Sequence, residues 1–264
     1  MHFATKSFRA VPGRYAAAMA TVRTAESGLV RFIRYGFMPN HLGYCGGNEA
    51  EVLFEHAATG RSEPYLAPLL AKFTGAFPYL RTIAQANGIA DPFDARVVEA
   101  YWIGNQLLEG VQAAELSRSL EERFGRQLPP KVRELVLRKA PQGARPYHLF
   151  HVIDVYRHLE KAEIGMAAME DCRVSWGQVK EINGAALGVE RRPLVLQEGR
   201  LALGEPRRER VLRTLSGLGF ADEVALDDWV AIHWGWVCEV IDDRQRANLE
   251  RWSAHHLAIA NQTI

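Results

Sequence analysis

Three cysteines and a few clustered histidines hold most of the chemistry this sequence could perform. Cys45, Cys172 and Cys238 are too few and too widely spread for a disulfide scaffold. In a reducing compartment each is a packing residue, a metal ligand or a reactive thiol. Cys45 lies in the stretch Met38 to Gly47, four residues after His41. If that stretch wraps as a loop between helices, an imidazole and a thiol can share one ion, and Gly46-Gly47 permits close backbone approach. A simple glycine-rich turn is the plain reading of the same residues.

His148 and His151 are three residues apart, with Asp154 three further on. A helix puts all three on one face, which makes either a metal-binding face or a solvated one. No second motif of that kind exists to complete a dinuclear centre. His255-His256 reads as a helix-end pair, structural or solvated. There is no GxxxxGK[ST] loop, no GxGxxG after a strand, no GxSxG and no CxxC, so nucleotide binding and the common hydrolase elbows find no support.

The elements that must position these residues change character near residue 168. Before it the apolar period is helical. Val30, Phe32, Ile33 and Phe37 form one face, with Pro39 expected to end that helix. Asn48 is expected to cap a helix that Gly60 stops, and Ser62 to open another. Asp91-Pro92 is expected to open the longest helix, through Trp102 to Leu108. Pro129-Pro130 and Pro146 are expected to start two more, the last reaching Leu159. After residue 169 the pattern is β. Arg173 to Ile182 reads as a strand followed by an Asn183-Gly184 hairpin turn. Glu198-Gly199 reads as a second turn, Asp228 to Val240 as one buried strand, and Asp242 as the start of a terminal helix to about Ala260. The expected class is α+β: an all-α domain over residues 1–168, then a small OB-like β-barrel with a C-terminal helix over residues 169–264.

Composition narrows the function classes. Of the 264 residues, 48% are hydrophobic and 24% charged, with a formal net charge of +1, as in ordinary globular chains. That balance speaks against nucleic acid or an anionic membrane as a partner. Met1 to Gly13 has no apolar core of a signal peptide, and no run is apolar enough for a membrane span, so a cytoplasmic protein is expected.

Two segments resemble a known family. Cys172-Arg-Val-Ser-Trp-Gly-Gln-Val-Lys-Glu-Ile-Asn-Gly184 resembles the opening motif of the HypC/HupF chaperones of nickel–iron hydrogenase maturation. Cys172, Gly177, Val179, Glu181, Ile182 and Gly184 match it without a gap. Asp228 to Asp242 resembles the family's second motif, with His233 and Gly235 matching. Two departures stand out. The family's cysteine follows the initiator methionine, whereas Cys172 is internal, and Trp176 stands where the family has proline.

The resemblance implies a non-enzymatic accessory protein that binds or delivers an iron–cyanide–carbonyl unit. Its implied partners are a maturation scaffold of the HypD type and a hydrogenase large-subunit precursor. Cys172 is then the anchoring ligand, because low-spin ferrous iron with π-acceptor ligands suits a soft thiolate. His233 is the second ligand or the group that orients the thiolate. The plain alternatives are a buried strand-start cysteine and a satisfied barrel histidine, and Cys238 reads as core. Two other functions fit the residues. One is a metal-dependent enzyme of the same pathway, with His41, Cys45, His148 and His151 holding the metal. The other is a metal-free interaction module.

Overall fold

The computed structural model describes residues 27–158 and 165–264. The expectations for Met1–Gly13 and Leu159 lie outside them.

The first part is helical: α1 Gly28–His41, α2 Ala50–Thr59, α3 Leu66–Leu70, α4 Phe77–Ala86, α5 Ala95–Trp102, α6 Leu107–Gly110, α7 Ala113–Phe124, α8 Pro130–Lys139 and α9 His148–Phe150. A π-helical turn, His151–Val155, and a 3-10 turn, Tyr156–His158, continue α9. Helix α10, Met166–Cys172, leads into the strands: β1 Ser175–Asn183, β2 Ala186–Arg191, β3 Leu194–Gln197, β4 Arg200–Leu203, β5 Arg207–Leu212, β6 Thr214–Leu215, β7 Leu218–Gly219, β8 Trp229–His233 and β9 Trp236–Ile241. Helix α11, Asp243–Ala260, closes the chain. Asp242 caps it through a reciprocal bond pair with Gln245, as an acidic residue before an amphipathic run should. Among the described residues no strand precedes Ser175, and no helix is long and apolar enough to cross a membrane.

Several local expectations are corrected. Pro39 does not end α1, which runs on to His41. The cap of α2 is Glu49 rather than Asn48. The single long helix from Asp91 is two, because Gly104 at φ +93° breaks the chain between α5 and α6. Residues 166–172 are helix, so Cys172 ends α10 and does not open a strand. The first hairpin turn is Gly184-Ala185, one residue later than Asn183-Gly184, because Asn183 pairs with Ala186. Positive φ at Gly184 alone fits a turn that needs glycine in its first central position. The segment from Asp228 to Val240 is a hairpin, β8 and β9, turning at Trp234-Gly235.

The main sheet has the order β1-β2-β5-β9-β8 and closes by antiparallel pairing of β1 with β8. Alternate residues Val179, Leu187, Val189, Val211, Val230, Ile232 and Val237 fill its interior. The outer surface of β8–β9 belongs to a larger core shared with the helices. There Phe37 and Phe54 meet Trp236 edge-on at 5.3 and 6.1 Å. An ionic network crosses the same seam: Arg31 on α1 bonds Glu99 on α5 at 2.9 Å and Glu239 on β9 at 3.0 Å. The Tyr35 hydroxyl donates to Glu239 at 2.7 Å. Helix α1 is thereby fixed against the sheet along its length.

One buried ion pair fixes the π-helical turn. Lys139 Nζ lies 3.3 Å from Asp154 Oδ1 and donates to the Ile259 carbonyl at 2.6 Å, with both side chains almost wholly buried. Burial pushes the Asp154 carboxyl above its ordinary value, against the pull of Lys139. Lys139→Met leaves that carboxylate uncompensated and should cost about 3–5 kcal/mol in urea unfolding. The double variant Lys139→Met/Asp154→Leu should recover most of the loss. Equal losses in the single and double variants would mean that packing, not charge, dominates here.

Candidate metal centre

Three side chains that could hold a metal ion come from three places in the chain. His148 opens α9, Cys172 ends α10, and His233 ends β8. One donor atom from each lies within 4.8 Å of the other two, and all three residues are buried. The two imidazole rings meet at 5.0 Å between centroids, and the Trp102 ring packs on both, at 4.5 and 5.5 Å.

Each ring is aimed by a backbone group. His148 Nε2–H donates to the Cys172 carbonyl at 2.7 Å. Its Nδ1 therefore accepts, and the Tyr101 hydroxyl sits 3.0 Å away as donor. His233 Nδ1–H donates to the Tyr35 carbonyl at 2.7 Å. Pro39 leaves that carbonyl free. Inside α1 it lacks the N–H that would bond back to the carbonyl four residues earlier. The proline that fails to end the helix thus supplies the acceptor that orients His233. The other ring nitrogen, His233 Nε2, is buried and has no hydrogen-bond partner. Nδ1–H on a backbone carbonyl with a bare Nε2 lone pair is the usual posture of a metal-binding imidazole.

The Cys172 end is fixed as firmly. Arg173, buried, pairs with Glu170 at 2.6 Å and donates to the Arg192 carbonyl at 2.6 Å. Trp234 N–H donates to the Asp171 carbonyl at 2.8 Å, tying the β8–β9 turn to the end of α10. Trp234 takes φ +53° and Gly235 φ +66°, the pair of positive angles that a two-residue hairpin turn of this kind demands. A tryptophan there is strained, and strain of this kind gathers at functional sites. The Trp234 ring is held by Tyr44, stacked at 4.4 Å.

Electrostatically the site is neutral. Burial lowers His148 well below its ordinary pKa, with His233 and His151 adding to the effect. Burial lowers His233 to about 4, against the Tyr35 carbonyl that its Nδ1–H meets. Burial raises the Cys172 thiol far above its ordinary value, with Cys45 adding to this and Trp234 opposing it. A neutral thiol is a poor nucleophile, and no cationic imidazole is present to activate it. A bound metal cation changes this, since a coordinating thiol is deprotonated outright. The bare His233 lone pair and the Cys172 thiol, in an apolar pocket, fit a soft or borderline transition-metal ion. His148 joins them only by releasing the Tyr101 hydroxyl from Nδ1 or the Cys172 carbonyl from Nε2.

The groups surround a cavity of about 40 Å³, walled by Gly36, Phe73, Ala76 and Trp102. It has room for roughly three water-sized groups. Cys45 lines this cavity, although solvent also reaches its side chain. Desolvation pushes its thiol up to about 11.

The structure brings Cys172 and His233 together, much closer than the two motifs alone require. It separates His41 from Cys45: His41 stacks on Phe37 and is not among the lining residues. His151 lines the cavity but is outside the three-residue cluster, its Nδ1 lying 3.3 Å from the Tyr79 hydroxyl. Cys238 is fully buried in the core. The donor that sequence reasoning did not join to Cys172 is His148. Its signal was an imidazole inside Tyr147-His-Leu-Phe-His-Val-Ile153, a run apolar on every side, as in a buried helix.

Comparison with known proteins yields one family match. A family model described as a family of unknown function, DUF6390, matches residues 24–264. No curated protein matches, and no solved structure matches.

Proposed function

We propose, from the premise that the chain belongs to the DUF6390 family, that this protein is a metal-unit carrier acting in metallocentre maturation, with His148, Cys172 and His233 as its protein ligands. The observation that carries the reading is the bare, buried Nε2 of His233, a residue that brings one donor atom within 4.8 Å of donors on Cys172 and His148. A buried imidazole nitrogen left without a partner is costly unless something binds it.

The nature of the cargo follows from the sequence resemblance to the HypC/HupF chaperones. On that reading the cargo is an iron–cyanide–carbonyl unit, held by a soft thiolate and two imidazoles. The closed sheet serves as an OB-like barrel. The partners are a HypD-type scaffold and a hydrogenase large-subunit precursor, met in the cytoplasm. The departures from the family make chemical sense here. Cys172 has no free α-amine, and His148 supplies a nitrogen donor beside it instead. The apolar lining suits diatomic ligands on the metal better than a polar substrate, and the cavity of about 40 Å³ must widen to admit them. The role of carrier rather than enzyme is the one the resemblance implies; three protein donors with positions left open suit release of a cargo and equally suit metal catalysis.

The test is infrared spectroscopy of the full chain purified with the maturation partners. Cyanide and carbonyl stretching bands should accompany the wild-type protein and vanish in His233→Ala. Cobalt(II) titration of the purified protein should give a thiolate-to-cobalt charge-transfer band. Cobalt binding without the diatomic bands would keep the metal site and remove the hydrogenase cargo. Neither signal would leave a metal-free interaction module.

A further inference from the structure

The metal site is buried, so cargo needs a route to it. A second cavity of about 470 Å³ lies on the other side of the Tyr44–Cys45 segment, lined also by Lys72, Arg123 and Gln127. Tyr44, Cys45, Gly75, His151 and Tyr156 line both cavities, so they form the wall between them. Cys45 is the only thiol in that wall. It is exposed to solvent, and it shares the lining of the inner cavity with Cys172. The loop that holds it is anchored firmly. The Asn40 side chain donates to the Cys45 carbonyl at 2.7 Å and to the Gly47 carbonyl at 2.6 Å. What lies behind the thiol is a binding site rather than plain core. His233, 2% exposed, lines the inner cavity; its Nδ1 is taken by the Tyr35 carbonyl and its Nε2 is left without a partner.

We propose that Cys45 is the entry ligand: it takes a soft metal ion in the outer cavity and passes it to the inner site by ligand exchange. This rests on the metal site proposed above. The exchange is associative and involves no redox step. Cys45 loses its proton to water, its sulfur bonds the ion, and one donor of the incoming metal complex leaves. Cys172 then bonds the same ion as the bond to Cys45 breaks, and the Cys172 proton passes to the departing Cys45 sulfur. His233 and His148 complete the inner set. A thiol standing between solvent and a buried thiolate provides a stepwise path, on which the ion is never stripped of sulfur in an apolar cavity. It also explains why an exposed thiol sits against a pocket with little polar lining besides the three donors and His151.

The experiment follows cobalt(II) entering and leaving the full-length metal-free protein, read at the thiolate-to-cobalt band by stopped flow. Cys45→Ser should slow both loading and removal by a chelator by about tenfold or more, since the soft relay donor is gone. Equilibrium affinity should stay within about twofold, because both directions slow together. Tyr44→Ala/Cys45→Ser separates relay from steric gating. Opening the wall without restoring the thiol should leave loading slow. Loading of Cys45→Ser at the wild-type rate would overturn the relay, and so would recovery of the rate in the double variant. Loss of affinity in Cys45→Ser would make Cys45 a resident ligand and overturn it too. Absence of any thiolate band in wild type would overturn the inner site itself, and the relay with it.

Discussion

Cys172→Ala is expected to weaken cobalt(II) or zinc(II) binding on the order of a thousandfold, about 4 kcal/mol at 1.4 kcal/mol per decade, while Cys238→Ala leaves it unchanged. Cys172 is the only thiol in the three-donor cluster. Without it, two neutral imidazoles remain in an apolar cavity, and no ligand offsets the charge of the cation. Cys238 is also fully buried, but its thiol is spent within the core, 3.6 Å from the Trp236 carbonyl. Both replacements should cost stability. Cys172, at the end of α10, is 6% exposed. Removing either small buried side chain should therefore cost on the order of 1 kcal/mol. Isothermal titration with thermal melts of both variants separates the two effects. Metal binding retained by Cys172→Ala and lost by Cys238→Ala would move the site to the wrong side of β9. Binding retained by both would dissolve it.

Lowering the pH from 8 to 5 should destabilise the metal-free protein severely. Among the described residues four histidines are buried and built to be neutral. His148 and His233 are held as described above. His256 donates from Nδ1 to the Trp252 carbonyl at 2.9 Å and accepts the Arg145 N–H on Nε2 at 3.2 Å. His151 lies against the Tyr79 hydroxyl. Burial lowers His256 to about 3 and His151 to about 3, the latter with Arg123 adding to the effect. In the unfolded chain each titrates near 6.5. As pH falls below that value the unfolded state takes up protons that the folded state refuses, so stability is full above about 6.5 and lost on the way down. By pH 5 the loss is about 2 kcal/mol per histidine, or on the order of 8 kcal/mol for the four, comparable with the whole stability of a typical domain. Asp154 and Asp171 work the other way, since burial raises both carboxyls and favours the folded state as they protonate. They are two groups against four. Melting temperatures measured across this range should fall steeply below pH 6.5. A flat profile down to pH 5 would mean that these rings are charged or hydrated in the folded protein. Metal should blunt the fall, because an ion on His148 and His233 competes with the protons.

Several features were legible in the sequence because local chemistry decides them. The Glu198-Gly199 turn needs two positive φ angles, and both residues adopt them. Asp242 and Gln245 form a cap within one helical turn. Gly60 ends α2 in the left-handed conformation. The switch from helical to alternating apolar period separates the helices from the sheet. The pairing of Cys172 with His233 was an expectation from motif resemblance, with no geometry behind it; the structure places the two residues in one cluster with His148. Tertiary structure decided the rest. A proline ends a helix only when the lost hydrogen bond is not tolerated. At Pro39 the orphaned Tyr35 carbonyl is satisfied by His233, almost two hundred positions away in the chain, and nothing near Pro39 in sequence announces that partner. The Trp234-Gly235 turn carries no ordinary turn signal, because tryptophan is strained there; the Tyr44 ring and the Asp171 carbonyl hold it in place. His148 joined the site for the same reason. Side-chain type says which atoms can bind a metal, whereas only the packing of α9, α10 and β8 against one another brings three such atoms within reach of one ion.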